Sequence, residues 1–205
     1  MCEFWSNLLS QFQISTLESH APEVLTEREL RNFELQAGML PLQYKNFCKT
    51  FGSSLIPASG MQLFCPNADL SEMHLYPFRL ELEEDFLPTH DLSQLEESLK
   101  SLINILMAGT PLVFGTDPSA RIYLFDLESY LELDKSCDIW CVSLDSFDDG
   151  SILMGRDFRD FFTTYFLGLY GSPRESRELI EPISPEDYNL VRFNSQEVLR
   201  DAKNY

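Results

Sequence analysis

Histidine is scarce in this 205-residue chain: His20, His74 and His90 are the three present, and none has the i, i+4 or cysteine-flanked spacing of a zinc site. No metal and no cofactor is expected. The five cysteines, Cys2, Cys48, Cys65, Cys137 and Cys141, are odd in number and follow no repeating framework, and Asn-x-Ser/Thr acceptors are absent. That combination fits a reducing compartment. Cys137 and Cys141 flank Asp138-Ile139-Trp140, a gap unlike that of a redox pair; on a strand both point to one face and read as two buried thiols. Gly-rich phosphate loops, dinucleotide fingerprints, nucleophile elbows and deaminase signatures are likewise missing. Carboxylates are so numerous that spacing alone singles out no acid–base dyad, so no residue is assigned a catalytic role and the expectation is a non-enzyme.

Basic charge is also short. Against 33 acidic residues stand 15 basic ones, a formal charge of −18, which repels phosphate backbones and anionic headgroups and speeds encounter with a basic partner. Nucleic acid and membrane surfaces are therefore not expected as ligands. The segment Met1-Cys2-Glu3-Phe4-Trp5 lacks the basic stretch and following apolar run of a secretory signal. The most apolar helix candidate is interrupted by Lys100 and Asn104 and falls short of the roughly 18 residues that cross a bilayer. These absences predict a soluble, cytoplasmic protein.

Apolar residues make up 44% of the chain, enough for a core that folds alone. Phe4, Trp5, Leu8, Leu9 and Phe12 recur at helical spacing and are expected to pack on the domain. Thr26 and Glu29 form a capping-box pattern, with Leu25 and Leu30 placed for a hydrophobic staple, so a helix starts at Glu27, buries Leu30, Phe33 and Ala37 and stops at Gly38. Pro41 opens a second helix with Tyr44, Phe47, Cys48 and Phe51 on one face and Gly52 as its stop. Strands are predicted at Met61 to Cys65 and around Leu80 and Leu82, separated by a polar insert at Asn67-Ala68-Asp69. Ser93 and Glu96 suggest another capping box, before a helix whose stripe is Leu95, Leu99, Leu102, Ile103 and Leu106, ending at Gly109. Leu112-Val113-Phe114, Ile122 to Phe125 and Ile139 to Val142 then read as an antiparallel meander turning at Asp117-Pro118-Ser119. Phe158, Phe161, Phe162, Tyr165, Phe166 and Leu169 form a last aromatic helix ended by Gly171-Ser172-Pro173, and a polar tail follows with a helix start at Ser184-Pro185.

Three ordered motifs carry a family resemblance: Leu40-Pro41-Leu42-Gln43-Tyr44-Lys45-Asn46-Phe47 with Phe51-Gly52; Val113-Phe114-Gly115-Thr116-Asp117 with Tyr123-Leu124-Phe125-Asp126; and Asp157-Phe158-Arg159-Asp160-Phe161-Phe162. Over Leu25 to Leu169 the chain resembles the SUKH (Smi/Knr-like) superfamily. It departs from the pattern at the hairpin turn, where many relatives carry glycines and this chain has Pro118-Ser119-Ala120-Arg121. The resemblance implies an α+β fold without catalytic apparatus: a central antiparallel-rich sheet against an N-terminal helical hairpin, a long middle helix and an aromatic C-terminal helix. The expected organisation is an amphipathic lead-in over 1–24, a SUKH-like domain over 25–171 and a polar extension over 172–205. Many bacterial members are immunity proteins that neutralise toxins, often nucleases, and eukaryotic members are adaptors.

A protein partner, a basic toxin in the immunity case, is therefore the expected ligand. Two acidic clusters are candidate contact surfaces: Glu81, Glu83, Glu84 and Asp85; and Asp134, Asp138, Asp145, Asp148 and Asp149. Because buried aromatic anchors dominate interface energy while charges set encounter rate, Trp140, Phe147 and Tyr130 join them wherever they are exposed. The same carboxylates also read as a plain solvated face. An adaptor docking through its N-terminal helix or C-terminal tail is the second reading. An enzyme is the third, and needs a cleft with convergent titratable groups.

Overall fold

In the computed structural model, residues 3–16, 23–143, 147, 151–167, 184–196 and 199 are described, with Phe166 by its backbone alone. The N-terminal amphipathic pattern becomes helix α1 (Glu3–Leu9), whose apolar side closes on the core and leaves Trp5 wholly buried. The Trp5 indole N–H keeps a partner by donating to Gln43 Oε1 at 3.1 Å, as buried indoles usually do. A short strand, β1 (Gln13–Thr16), follows.

Helix α2 (Glu27–Ala37) starts with the capping box its sequence encodes. The Glu29 amide donates to the Thr26 hydroxyl at 3.3 Å and the Thr26 amide to the Glu29 carboxylate at 2.8 Å, which satisfies two amides that the helix leaves unpaired. The Thr26 amide, and then its hydroxyl at 2.7 Å, donate to the Glu29 carboxylate and hold its pKa below the usual value. Leu30 is fully buried, Leu25 packs on the same cluster, and Phe33 and Ala37 are half-buried. At Gly38 φ is +114°, a conformation that only glycine takes without strain. Helix α3 (Leu42–Thr50) begins after Pro41 and buries Tyr44, Phe47 and Cys48.

Beyond α3 come β2 (Ser54–Ile56) and β3 (Met61–Leu63). The segment around Leu80 and Leu82 is not a strand: Asn67 caps helix α4 (Ala68–Glu81), which runs into a π-helical turn over Leu82–Phe86 and a short helix α5 (Leu87–Thr89). Leu70, Leu75, Phe78 and Leu82 supply a buried face at helical spacing, and burying that face outweighs the two-residue alternation of Leu80 and Leu82. Nor does the second capping box form. Ser93 lies in a separate turn, where its amide donates to Asp91 at 3.0 Å, and helix α6 (Glu97–Ala108) starts after Glu96 without a side-chain cap.

The meander is as expected: β4 (Pro111–Thr116), β5 (Arg121–Leu131) and β6 (Ser136–Ser143), followed by β7 (Ile152–Gly155). At the glycine-free turn Ala120 takes φ of +54°, and Asp117 Oδ1 accepts the amides of Ser119 and Arg121 at 2.9 and 3.3 Å. An aspartate turn thus does the work that glycine does elsewhere. Asp157 caps helix α7 (Phe158–Phe161), which continues as a π-helical turn over Phe162–Phe166; Leu169 and Gly171 to Pro173 lie outside the described residues. After a single turn at Pro185–Asp187, the tail supplies β8 (Asn189–Arg192).

The described strands form one sheet in the order β1-β8-β2-β3-β4-β5-β6-β7. All its pairs are antiparallel except β1 with β8, and the fold class is α+β. Strands and side chains from residues 3–16 and 184–193 thus share one sheet and one core with residues 25–167. Alternation along the strands divides the core in two. Phe114, Tyr123, Phe125, Ile139 and Cys141 face α1, α2, α3 and α7. Val113, Ile122, Leu124, Trp140 and Val142 face α4 and α6.

Candidate functional site

Helix α4 is fixed from below and open above. Asn67 Oδ1 accepts the Leu70 amide at 3.0 Å, and the Ser71 hydroxyl accepts the Val113 amide of β4 at 3.1 Å. Arg79 Nε donates to the Leu106 carbonyl of α6 at 2.7 Å while Nη1 holds both Glu72 oxygens at 2.7 and 2.8 Å. So anchored, α4 presents Glu72, Tyr76, Pro77, Leu80 and Glu81 to solvent. The π-helical turn then carries Glu83, Glu84 and Asp85 outward while burying Leu82 and Phe86. None of Glu81, Glu83, Glu84 and Asp85 forms an ion pair among the described residues.

A cleft opens on each flank of α4. One, of about 300 Å³, is bounded by Phe33 and Ala37 of α2, Ser71, Leu75 and Arg79 of α4, and Pro111 of β4. The other, of about 310 Å³, lies between α4 and the β4–β5 turn, with Met73, His74, Pro77 and Phe78 on one wall and Asp117, Arg121 and Ile122 on the other. Its polar groups are largely committed to each other: Asp117 Oδ2 accepts Arg121 Nε at 2.7 Å and the Tyr123 hydroxyl at 2.9 Å. The exception is His74, stacked on Phe64 with centroids 5.3 Å apart, its Nε2 buried without a hydrogen-bond partner among the described residues. Burial lowers its pKa, favouring neutral imidazole. Among the described residues no three His, Cys, Asp or Glu side chains converge as a metal site would need.

Of the second acidic cluster, the two described members, Asp134 and Asp138, are each engaged within the fold. Asp134 caps its own turn, accepting the Ser136 amide and hydroxyl at 3.2 and 2.7 Å. Asp138 pairs with Arg156, whose Nη2 donates to the Ser129 carbonyl at 2.6 Å. Across the ladder from Asp138 stands Asp126, whose carboxyl pKa is raised by burial and then by the Asp138 charge. Asp145, Asp148 and Asp149 lie outside the described residues. Trp140 and Phe147 are 5% and 6% exposed and belong to the core beneath α4 and α6, so neither offers a surface anchor. Tyr130 is half-buried. Cys137 and Cys141 are buried on one face of β6, as the strand period requires, and burial pushes both thiols up to about 12.

The first cluster does stand together in solvent, at a helix end rather than after a strand. The strand expectation for Leu80 and Leu82 hid two further surface residues, Tyr76 and Leu80. The capping Asn67 and the inward spacing of Leu70, Leu75, Phe78 and Leu82 are the signals that would have exposed them. The N-terminal aromatic helix turns Trp5 and Leu8 into the core and leaves Glu3 and Asn7 exposed. No described helix is long and apolar enough to cross a membrane. Comparison with protein-family models, curated proteins and solved structures returns no match to this chain.

Proposed function

We propose that the chain is a non-catalytic protein-binding module of the SUKH type, cytoplasmic, with a basic protein as its ligand. Within that class it acts as an immunity-type protein: its acidic face covers the basic, phosphate-binding cleft of a cognate toxin nuclease and competes with the nucleic acid substrate. The observation that carries this reading is the row of exposed carboxylates Glu81, Glu83, Glu84 and Asp85, without ion pairs among the described residues, on a helix end locked to the core. A rigid array of one charge sign steers association with the opposite sign and penalises wrong partners. The −18 overall charge adds to that field and disfavours direct contact with nucleic acid or anionic membranes.

The test is capture from the source cytosol on the purified full chain, at low and at moderate salt, with mass spectrometry of what remains bound. One basic, toxin-like nuclease, released as salt shortens the reach of charge to about 8–10 Å, is the expected result. A salt-resistant multiprotein complex would replace the immunity role with an adaptor role, and an empty column would remove the protein-binding reading.

A further inference from the structure

The outward face of α4 carries apolar surface as well as charge. Tyr76 is 61% and Leu80 38% exposed; one helical turn apart, they form a stripe with Pro77 between them. At its C-terminal end the stripe meets Glu81, Glu83, Glu84 and Asp85. Arg79, the one Lys or Arg of α4, is committed to Glu72 and the Leu106 carbonyl. On one flank the stripe shares Pro77 with the cleft of about 310 Å³, to which Met73, Phe78 and Ile122 give an apolar lining.

We propose that the Tyr76–Pro77–Leu80 stripe and this adjoining cleft dock a basic protein segment, which lays an apolar side chain against the stripe and sets lysines or arginines against Glu81, Glu83, Glu84 and Asp85. The inference rests on the protein-binding reading above and names its surface and its chemistry. Tyrosine supplies contact area at low entropic cost and ranks high among energetic anchors, while the carboxylates select the sign of the partner. A second set of exposed apolar residues lies where the Leu42 amide donates to the Lys135 carbonyl at 2.9 Å, with Leu35 and Met39 on one side and Leu131 and Leu133 on the other. Both charge signs stand beside these residues, Arg31 with Glu27 and Glu34 near Leu35 and Met39, and Lys135 after Glu132 and Asp134 along the chain, so charge does not single out a basic partner there.

Isotope-labelled full chain is titrated, with amide shifts as the readout, against a short amphipathic Leu/Lys peptide and its Leu/Glu counterpart. The expected result is a saturable response over residues 73–87 with the Leu/Lys peptide alone, weakened at least about tenfold in the Tyr76→Ser/Leu80→Ser variant at an unchanged thermal midpoint. A Glu83→Gln/Glu84→Gln variant weakens it as well, and Leu133→Ser does not. Undiminished binding by the Tyr76→Ser/Leu80→Ser variant, or no response at all, overturns the assignment. So does a response at Leu35, Met39, Leu131 and Leu133, or one that appears when the protein itself is concentrated, which makes a second copy the occupant. The cytosolic capture decides the protein-binding reading separately, because it does not depend on which surface is used.

Discussion

The two faces of the sheet are built differently. Toward α1, α3 and α7 the core is a lattice of rings: Trp5 lies 5.6, 6.0 and 5.7 Å from Phe47, Phe51 and Phe162, and Phe158 lies 5.3, 5.3 and 5.4 Å from Tyr44, Phe47 and Phe114. Toward α4 and α6 the core is mostly aliphatic, from Leu75, Leu99, Leu102, Leu106, Ile122 and Leu124, with Trp140 Nε1 left without a hydrogen-bond partner among the described residues. Each well-placed ring pair adds about 0.5–1.5 kcal/mol beyond its buried area. The aromatic face therefore concentrates cohesion, and its covering helices are held inward. The aliphatic face supports a helix whose outer side keeps Tyr76, Leu80 and a row of carboxylates in water. The densest ring packing and the surface proposed for docking thus lie on opposite sides of one sheet.

The largest expected effect comes from breaking the ring lattice. Phe158→Ala should cost about 3–5 kcal/mol in urea unfolding, well beyond any single change on the outer side of α4. Next is Glu23→Gln, because Glu23 Oε2 accepts the Ser53 hydroxyl at 2.7 Å and the Ser195 amide and hydroxyl at 3.0 and 2.5 Å. Losing charge-assisted bonds there should cost about 1.5–3 kcal/mol by the same measurement.

A smaller effect of opposite sign is expected at Asp126, whose folded pKa lies above the ordinary carboxylate value through burial and the neighbouring Asp138. A raised folded pKa favours the fold below the unfolded pKa, and that contribution is lost as pH rises through the folded one. Asp126→Asn removes this loss while keeping an acceptor for the Glu128 amide. The variant should therefore melt higher than the parent at neutral pH, with the gap closing as the solution is brought below about pH 4, near the free aspartate pKa. The smallest effect is at Tyr76→Ser, which should leave stability within about 0.5 kcal/mol. A large loss there would show that the stripe is structural and dissolve the contrast between the faces.

Several local features are announced by their residues, although the Ser93 and Glu96 pattern announces a cap that does not form. Thr26 with Glu29, Gly38, Pro41 and the inward alternation of β4 to β6 are each legible without coordinates, because each reflects an amide, a φ angle or a side-chain period set within a few residues. The α4 region was not legible in that way, since Leu80 and Leu82 alternate over a span too short to tell a strand from the end of a helix. Trp140 and Phe147 show the other limit. Nothing beside them in the chain reveals that α4, the π-helical turn and α6 cover them. The acidic row at Glu81 to Asp85 was readable as a cluster, but its apolar companions Tyr76 and Leu80 became visible only once the helix was known.

The strand β8 lies inside the sheet, antiparallel to β2 on one side and parallel to β1 on the other. During synthesis, residues 13–16 of β1 therefore leave the ribosome long before their partner strand, residues 189–192, exists. Until those residues emerge, β2 has an open edge and β1 has no place in the sheet, so β1 and β8 enter the fold together and late. A chain cut short before Asn189 would lose β8 and strand β1 as well.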